Sequence, residues 1–370
     1  MNMNFYLPTR VITGRDCIRR HAGKITACGT RAMLITSPSA ARCSGALADV
    51  TGVLDRAGVP WQLYETIQQN PTLTACQEAA KLAADFGADF IIGIGGGSPL
   101  DAAKAVTVLT ANPGMTQAEL YSLVWPRPPL PVICVGTTAG TGSEVTAVAV
   151  LTRPDGVKKS ICCDSLFPVL SISDPGYTAS LSDRFTRATA VDALAHCIES
   201  FFSRKANHIS RCWALEGVRV LAGQLAFLVS HGSQALQYEN REALYHGSLY
   251  GGLAISVTGT CYPHTIGYPL TEQFGIPHGI ASAVFLPDFL QYVQRLDPVL
   301  MNRFCTGCGW EPDALLSLIR AATPDCTLTM SPAQIQALAP RWENNKSLIN
   351  SPGTIGPEYI SALYTKLFGA

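Results

Sequence analysis

The sequence has no excess charge of either sign, because 27 basic side chains balance 27 acidic ones. No lysine- or arginine-rich block occurs, which argues against nucleic acid and anionic membrane surfaces as partners. The opening Met1-Asn2-Met3-Asn4-Phe5 lacks the basic start and apolar core of a signal peptide. No uninterrupted apolar run approaches the ~20 residues of a membrane helix, so a cytoplasmic location is expected. Internal repeats and low-complexity tracts are also missing. Cysteine is plentiful but unorganised: the 13 residues are odd in number and scattered, as at Cys17, Cys28, Cys43, Cys76 and Cys134. Without a spaced framework they read as small core hydrophobes in a reducing compartment. Cys305-Thr306-Gly307-Cys308 has no second pair, and it and Cys162-Cys163 read as reduced thiols.

What remains is a globular composition, nearly half hydrophobic, in a 370-residue chain long enough for two domains. Up to about residue 176 short apolar runs alternate with helical patterns. Ala32 to Thr36, Phe90 to Ile94 and Val132 to Val135 read as buried strands, and Leu73 to Phe86 as a helix stopped by Gly87. Strands alternating with helices imply right-handed crossovers and a parallel, doubly wound sheet. After Ser173-Asp174-Pro175-Gly176 the texture becomes helical, with period-3.6 apolar faces over Asp192 to Phe202, Trp213 to Phe227 and Arg241 to Val257. The expected organisation is an α/β nucleotide-binding domain over residues 1–176 and an all-α domain over residues 177–370.

Gly95-Gly96-Gly97-Ser98-Pro99-Leu100-Asp101 follows a strand and opens a helix. Glycines allow close backbone approach, Ser98 suits an N-cap, Pro99 the first helical position, and Asp101 completes a capping box. A helix start is a ready anion site, so a pyrophosphate fits here. The run is neither a Walker loop nor G-x-G-x-x-G. A tight turn alone would explain the glycines, but the strand–loop–helix context favours phosphate. A second polar turn, Thr137 to Glu144, also follows a strand, where ligands of open α/β sheets lie.

Of the seven histidines, His196 lies four residues after Asp192, so both side chains leave one helix face. A carboxylate on an otherwise apolar face is costly to bury unless something pairs with it. His264 and His278 each stand beside a proline, fourteen residues apart. One aspartate oxygen and three imidazoles suit Fe²⁺ or Zn²⁺ rather than calcium. Any one of these histidines alone reads more readily as a satisfied core or surface group, and His21, His208, His231 and His246 read as structural or exposed.

GGGSPLDAAK (Gly95 to Lys104), TTAGTGSEVT (Thr137 to Thr146), DALAHCIES (Asp192 to Ser200) and the His-x13-His-Gly ending at Gly279 resemble the group III iron-containing alcohol dehydrogenases. The resemblance runs from Pro8 to the last helix. It implies a Rossmann-like N-terminal domain and a helical C-terminal domain like that of dehydroquinate synthase, working as a homodimer on a small aldehyde or alcohol. It implies one divalent ion, Fe²⁺ or Zn²⁺, held by Asp192, His196, His264 and His278. It also implies an NAD(P)H site at Asn70, Gly96, Gly97, Ser98, Asp101, Thr137, Thr138, Thr146, Lys159 and Leu181. Two departures stand out. Where many members carry an acid that rejects a 2′-phosphate, this chain has Thr36-Ser37-Pro38-Ser39, which leaves Ser37 at the ribose and NADPH admissible. Four residues beyond His264, where most members have a histidine near the nicotinamide, stands Tyr268, a candidate for moving the proton to the nascent alkoxide.

The Tyr268-Pro269-Leu270-Thr271 variant is similar to the branch that reduces sulfoacetaldehyde and phosphonoacetaldehyde. Arg341, Asn345 and Lys346 are candidate partners for such an anion, against a solvated-loop reading of the same stretch. The alternative activity is a general alcohol dehydrogenase for neutral short alcohols or diols. Glycerol dehydrogenases and synthases of the same fold use fewer or different metal ligands, and a catalytically silent binding protein would not need all four.

Overall fold

The computed structural model describes residues 3–323, 326, 328–343 and 345–369, with the Lys346 side chain outside the described set. The chain divides into two compact units. One is Tyr6–Leu181, and the other is Ser182–Ala370 with the first five residues.

The first unit is built on a parallel six-stranded sheet of order β1-β8-β5-β4-β2-β3. Its strands are β1 (Arg10–Thr13), β2 (Ala32–Thr36), β3 (Trp61–Tyr64), β4 (Phe90–Gly95), β5 (Val132–Gly136) and β8 (Leu170–Ser173). β2, β4 and β5 are buried throughout, as a sheet covered on both faces requires. Side-chain alternation divides their residues between two apolar layers. Met33, Ile35, Ile91 and Cys134 belong to one, and Leu34, Phe90, Ile92, Ile94, Ile133 and Val135 to the other.

β2 has β3 on one side and β4 on the other, so the direction of winding reverses between β2 and β4. A reversal of this kind opens a crevice beyond the carboxyl ends of the two strands. Thr36-Ser37 ends β2 and Gly95-Gly96-Gly97-Ser98 ends β4. Thr36 Oγ1 donates to the Ile94 carbonyl at 2.8 Å, tying the two ends together.

Helix Leu73–Phe86 starts where Thr72 Oγ1 accepts from the Ala75 amide at 3.1 Å and stops at left-handed Gly87, as the sequence predicts. The antiparallel pair β6 (Val148–Thr152) and β7 (Lys158–Cys162) is an addition to the expected pattern. Its connection includes Asp155-Gly156, with Gly156 at φ +80°, the backbone that such turns demand.

The 15-residue helix Gly97–Ala111 corrects one expectation. It begins at Gly97 with Gly96 in the N-cap place and no side-chain cap, so Ser98 and Asp101 form no capping box. Ser98 Oγ instead accepts from the Asn70 amide at 3.1 Å. Asp101 accepts from Ser143 Oγ at 2.6 Å and from the Val150 amide at 2.9 Å. Three glycines relieve the start of any need for a particular residue, which frees both side chains for long-range contacts.

Among the described residues the second unit contains helices and no strand, with helices Asp183–Phe202, His208–His231 and Tyr238–Thr258 followed by shorter ones. His208–His231, 24 residues of mean hydropathy 1.4, is the one described helix long and apolar enough to cross a membrane by length and composition. Here it packs with its neighbours through Ala214, Val218, Leu221, Leu225 and Leu228, all buried.

Lys104 is the most demanding residue of the first unit. Fully buried, it donates to the Ser143 carbonyl at 2.6 Å, Ser143 Oγ at 2.9 Å and the Val148 carbonyl at 2.8 Å. Burial lowers its ammonium below the ordinary lysine range, against the opposing pull of Asp101. Lys104→Met removes these bonds, leaving the Ser143 carbonyl only longer ones from Thr146, and takes from Asp101 its neighbouring cation. The expected loss is about 3 kcal/mol of stability, read from urea unfolding. A loss under about 1 kcal/mol would show that these contacts are dispensable.

Candidate metal centre

Helix Asp183–Phe202 is capped by Ser182, whose Oγ accepts from the Phe185 amide at 3.4 Å. From Ala190 to Phe202 every residue is buried, so any charge on this stretch needs a partner. It carries Asp192 and Glu199, with His196 between them.

His264 sits on the first turn of helix Tyr262–Phe274, and His278 opens the six-residue helix His278–Ala283. Both prolines noted in the sequence mark these helix starts. Close helix contact then depends on Gly279, where a Cβ would overlap the Ala188 carbonyl oxygen. At Gly267 a Cβ would lie 2.7 Å from the Ala281 carbonyl oxygen. These two glycines let the segments bearing Asp192, His264 and His278 approach one another.

The result is convergence. Ligand atoms of Asp192, His196 and His264 lie within 4.8 Å of one another. Asp192 Oδ1 is 3.4 Å from His264 Nε2 and 3.9 Å from His278 Nε2. Two ligands about 2.1 Å from a tetrahedral ion stand about 3.4 Å apart, so the spacing fits Fe²⁺ or Zn²⁺. Asp192 Oδ1 and His264 Nε2 are both buried and neither makes a hydrogen bond. Leaving each unsatisfied costs roughly 1–3 kcal/mol, and a divalent ion between them would satisfy both. The residues fit the ion.

A further residue carries no mark in the sequence expectations. Glu199 is fully buried, and its Oε1 accepts from His264 Nδ1 at 2.5 Å while Oε2 accepts from the Cys261 amide at 2.7 Å. This bond fixes the tautomer that leaves Nε2 free to bind a cation. Burial alone would lower the His264 imidazole, but the Glu199 and Asp192 carboxylates outweigh it and push it up to about 10, so a bound cation takes the place of a proton on Nε2. Burial would likewise raise the Asp192 carboxyl, yet His196, His278 and His264 hold it well below the usual carboxylate range. Glu199 could have been found from its spacing, three residues past His196 and seven past Asp192 on one helix face.

The remaining predicted positions fall in several places. Tyr268, one turn beyond His264, stacks on the His278 ring. Ser37, Asn70, Gly96, Gly97, Ser98, Thr137 and Thr138 cluster at the ends of β2, β4 and β5 and the loops beside them. Asn70 holds φ +59°, a left-handed backbone that asparagine adopts more readily than most residues with a side chain, and its amide meets Ser98 Oγ. A Cβ on Gly97 would come within 2.9 Å of Thr141 Cγ2, so the two polar turns pack face to face. Thr137 Oγ1 is buried and has no hydrogen-bond partner, and no side chain caps the helix at Gly97. An anionic ligand at this helix start would supply both needs.

Thr146 instead takes part in the Lys104 contacts at 3.5 Å, and Leu181 ends a 3-10 turn. Exposed Lys159 lies over the Tyr121 ring at 4.6 Å. Arg341, a candidate partner for an anionic substrate, pairs with Glu272 at 2.7 Å. Asn345 Oδ1 accepts from the Ser347 amide at 2.9 Å, capping a short helix. The Lys346 side chain and Asn344 lie outside the described residues.

Comparison with known proteins agrees with this architecture. The family model "Iron-containing alcohol dehydrogenase" matches residues 8–175, and "Fe-containing alcohol dehydrogenase family, C-terminal" matches residues 186–314. Sulfoacetaldehyde reductase of Bilophila wadsworthia is 32% identical over 76% of this chain and 72% of its own length. Lactaldehyde reductase of Escherichia coli is 31% identical over 71% of this chain and 68% of its own. The solved structure of sulfoacetaldehyde reductase from Bifidobacterium kashiwanohense in complex with NAD+ superposes with a TM-score of 0.87, at 26% identity, over 99% of each chain.

Glu199→Gln should weaken divalent-metal affinity about 10- to 100-fold while the protein stays folded, as chelator competition would measure. Unaltered affinity would mean that Glu199 only fills space. Gly97→Val should raise the nicotinamide-cofactor KM at least about tenfold by pushing Thr141 and the helix start apart. A KM unchanged within twofold would make the turn purely structural.

Proposed function

This chain belongs to the iron-containing alcohol dehydrogenase family, and on that basis we propose that it is a metal-dependent, NAD(P)H-linked reductase of short aldehydes. The observation that carries the reading is the buried pair Asp192 Oδ1 and His264 Nε2, 3.4 Å apart without a hydrogen bond. When bound, a divalent ion supplies Lewis acidity toward an aldehyde oxygen, and a nicotinamide cofactor supplies hydride.

The chain's own residues do the rest. Asp192, His196, His264 and His278 hold the ion, and Glu199 keeps a proton on His264 Nδ1 so that Nε2 presents its lone pair. Gly96, Gly97 and Ser98 receive the pyrophosphate at an uncapped helix start. Ser37 replaces an acid beside the adenosine ribose, so NADPH is accepted alongside NADH. Tyr268 Oη is the group that passes a proton toward the product oxygen. The protein works as a cytoplasmic homodimer, and its 13 free thiols suit a reducing compartment.

A second reading narrows the substrate to a two-carbon aldehyde bearing a strong anion. Tyr268-Pro269-Leu270-Thr271 and the 32% identity to a sulfoacetaldehyde reductase favour it. The pairing of Arg341 with Glu272 works against it. An unpaired cation in a pocket would give discrimination of about tenfold or more, the value of one charge-assisted contact.

Assayed on iron- and zinc-loaded protein with both cofactors, propanal, lactaldehyde and sulfoacetaldehyde should therefore differ by less than about tenfold in kcat/KM. A preference for sulfoacetaldehyde beyond that establishes the second reading. No turnover of any short aldehyde with either metal and either cofactor would overturn the proposal itself.

A further inference from the structure

Three of the four residues turned toward the metal position have evident supports. Asp192 and His196 stand one turn apart in a fully buried stretch of helix, and His264 is fixed by Glu199 at 2.5 Å. His278 differs. It is the first residue of a six-residue helix, and its side chain is 30% exposed where those of Asp192 and His264 are 4% and 3%. An imidazole so placed has the plane of its ring set by the groups that lie against it.

Two rings from a single helix lie against it. The Tyr268 ring lies almost parallel to His278, with centroids 5.5 Å apart and planes 14° apart. The His264 ring meets it edge-on, at 5.4 Å and 71°. Tyr268 and His264 are four residues apart in helix Tyr262–Phe274 and so share a face. Gly267 between them lets the Ala281 carbonyl come close, which seats helix His278–Ala283 against this face. With these two rings against it, His278 Nε2 lies 3.9 Å from Asp192 Oδ1.

We propose that the Tyr268 ring is a positioning element for His278, holding the plane of its imidazole so that Nε2 faces the metal position. The inference rests on the metal-dependent reading above and concerns the ring, independently of any proton carried by the hydroxyl. A stack of this geometry is worth about two- to tenfold in an equilibrium constant. Phenylalanine supplies the same flat face. Leucine fills comparable space without one, and alanine removes both.

The test is Zn²⁺ affinity of the full chain by chelator competition, with the d–d spectrum of the Co²⁺-loaded protein as a report on ligand geometry. Tyr268→Phe should bind Zn²⁺ within about twofold of the parent and keep its Co²⁺ spectrum. Tyr268→Leu and Tyr268→Ala should bind about five- to tenfold more weakly, with an altered Co²⁺ spectrum. Leucine guards against an alanine variant that fails to fold, and thermal melts identify that case. Equal affinity in Leu and parent, or a loss in Phe matching that in Leu, overturns the proposal while leaving the metal centre in place. Failure of the parent to bind one Zn²⁺ per chain, or full retention by His264→Ala, overturns the metal reading and this inference with it.

Discussion

Two carboxylates buried on one face of an otherwise apolar helix set the terms for the helical unit. Asp192 and Glu199 are 3% and 0% exposed, and within the buried stretch Ala190 to Phe202 only His196 can compensate them. Burying a carboxylate without a partner costs several kcal/mol, against total stabilities of roughly 5–15 kcal/mol for a domain. Compensation must come from other segments, and it comes from His264 and His278. Those segments can reach the helix only if side-chain bulk is removed at the crossings. Gly279 removes it against Ala188 and Gly267 against Ala281. Charge burial therefore dictates helix proximity, and helix proximity dictates glycine.

The same reasoning explains what could be read in advance. Strands at Ala32, Phe90 and Val132 and the helix ending at Gly87 were legible because period, length and a stop signal agreed. Asp192 and His196 were legible as a pair because one helix presents both. Their meeting with His264 and His278 is a tertiary fact that spacing alone leaves open, and the family resemblance supplied it. Glu199 escaped notice because a glutamate in a helix is ordinary until the helix is known to be buried on every side. The β6–β7 pair had its signal in Asp155-Gly156, but its short strands alternate weakly and Lys158 and Lys159 look like surface. Ser98 misled in the opposite way. A serine before a helical pattern is the commonest N-cap signal, and here a glycine took the place while Ser98 bonded to Asn70.

The first unit solves a related problem with a cation. Lys104 and Asp101, three residues apart on the helix that follows the glycine loop, both reach the segment Ser143–Val150. Their contacts hold the second polar turn against the first, so the two loops are positioned by one helix. The proposed phosphate cradle, assembled this way, needs little from its own loop residues beyond small size, which suits loops made mostly of glycine, threonine, serine and alanine. Rigidity comes from behind the ligand surface.

Substrate preference follows from a similar accounting at Arg341. Its guanidinium pairs with Glu272 Oε2 at 2.7 Å, while Glu272 Oε1 is buried and makes no hydrogen bond. An incoming sulfonate or phosphonate could recruit Arg341 only by drawing it from a carboxylate that has little else to satisfy it. The new charge-assisted contact is worth about 1.5–3 kcal/mol, and stripping a largely buried Glu272 of its partner costs a comparable amount. The two terms nearly cancel. A pair already closed on itself recognises an anion poorly, and for the proposed reductase selectivity among short aldehydes would then rest on shape around the metal position, where the Tyr268 ring stands.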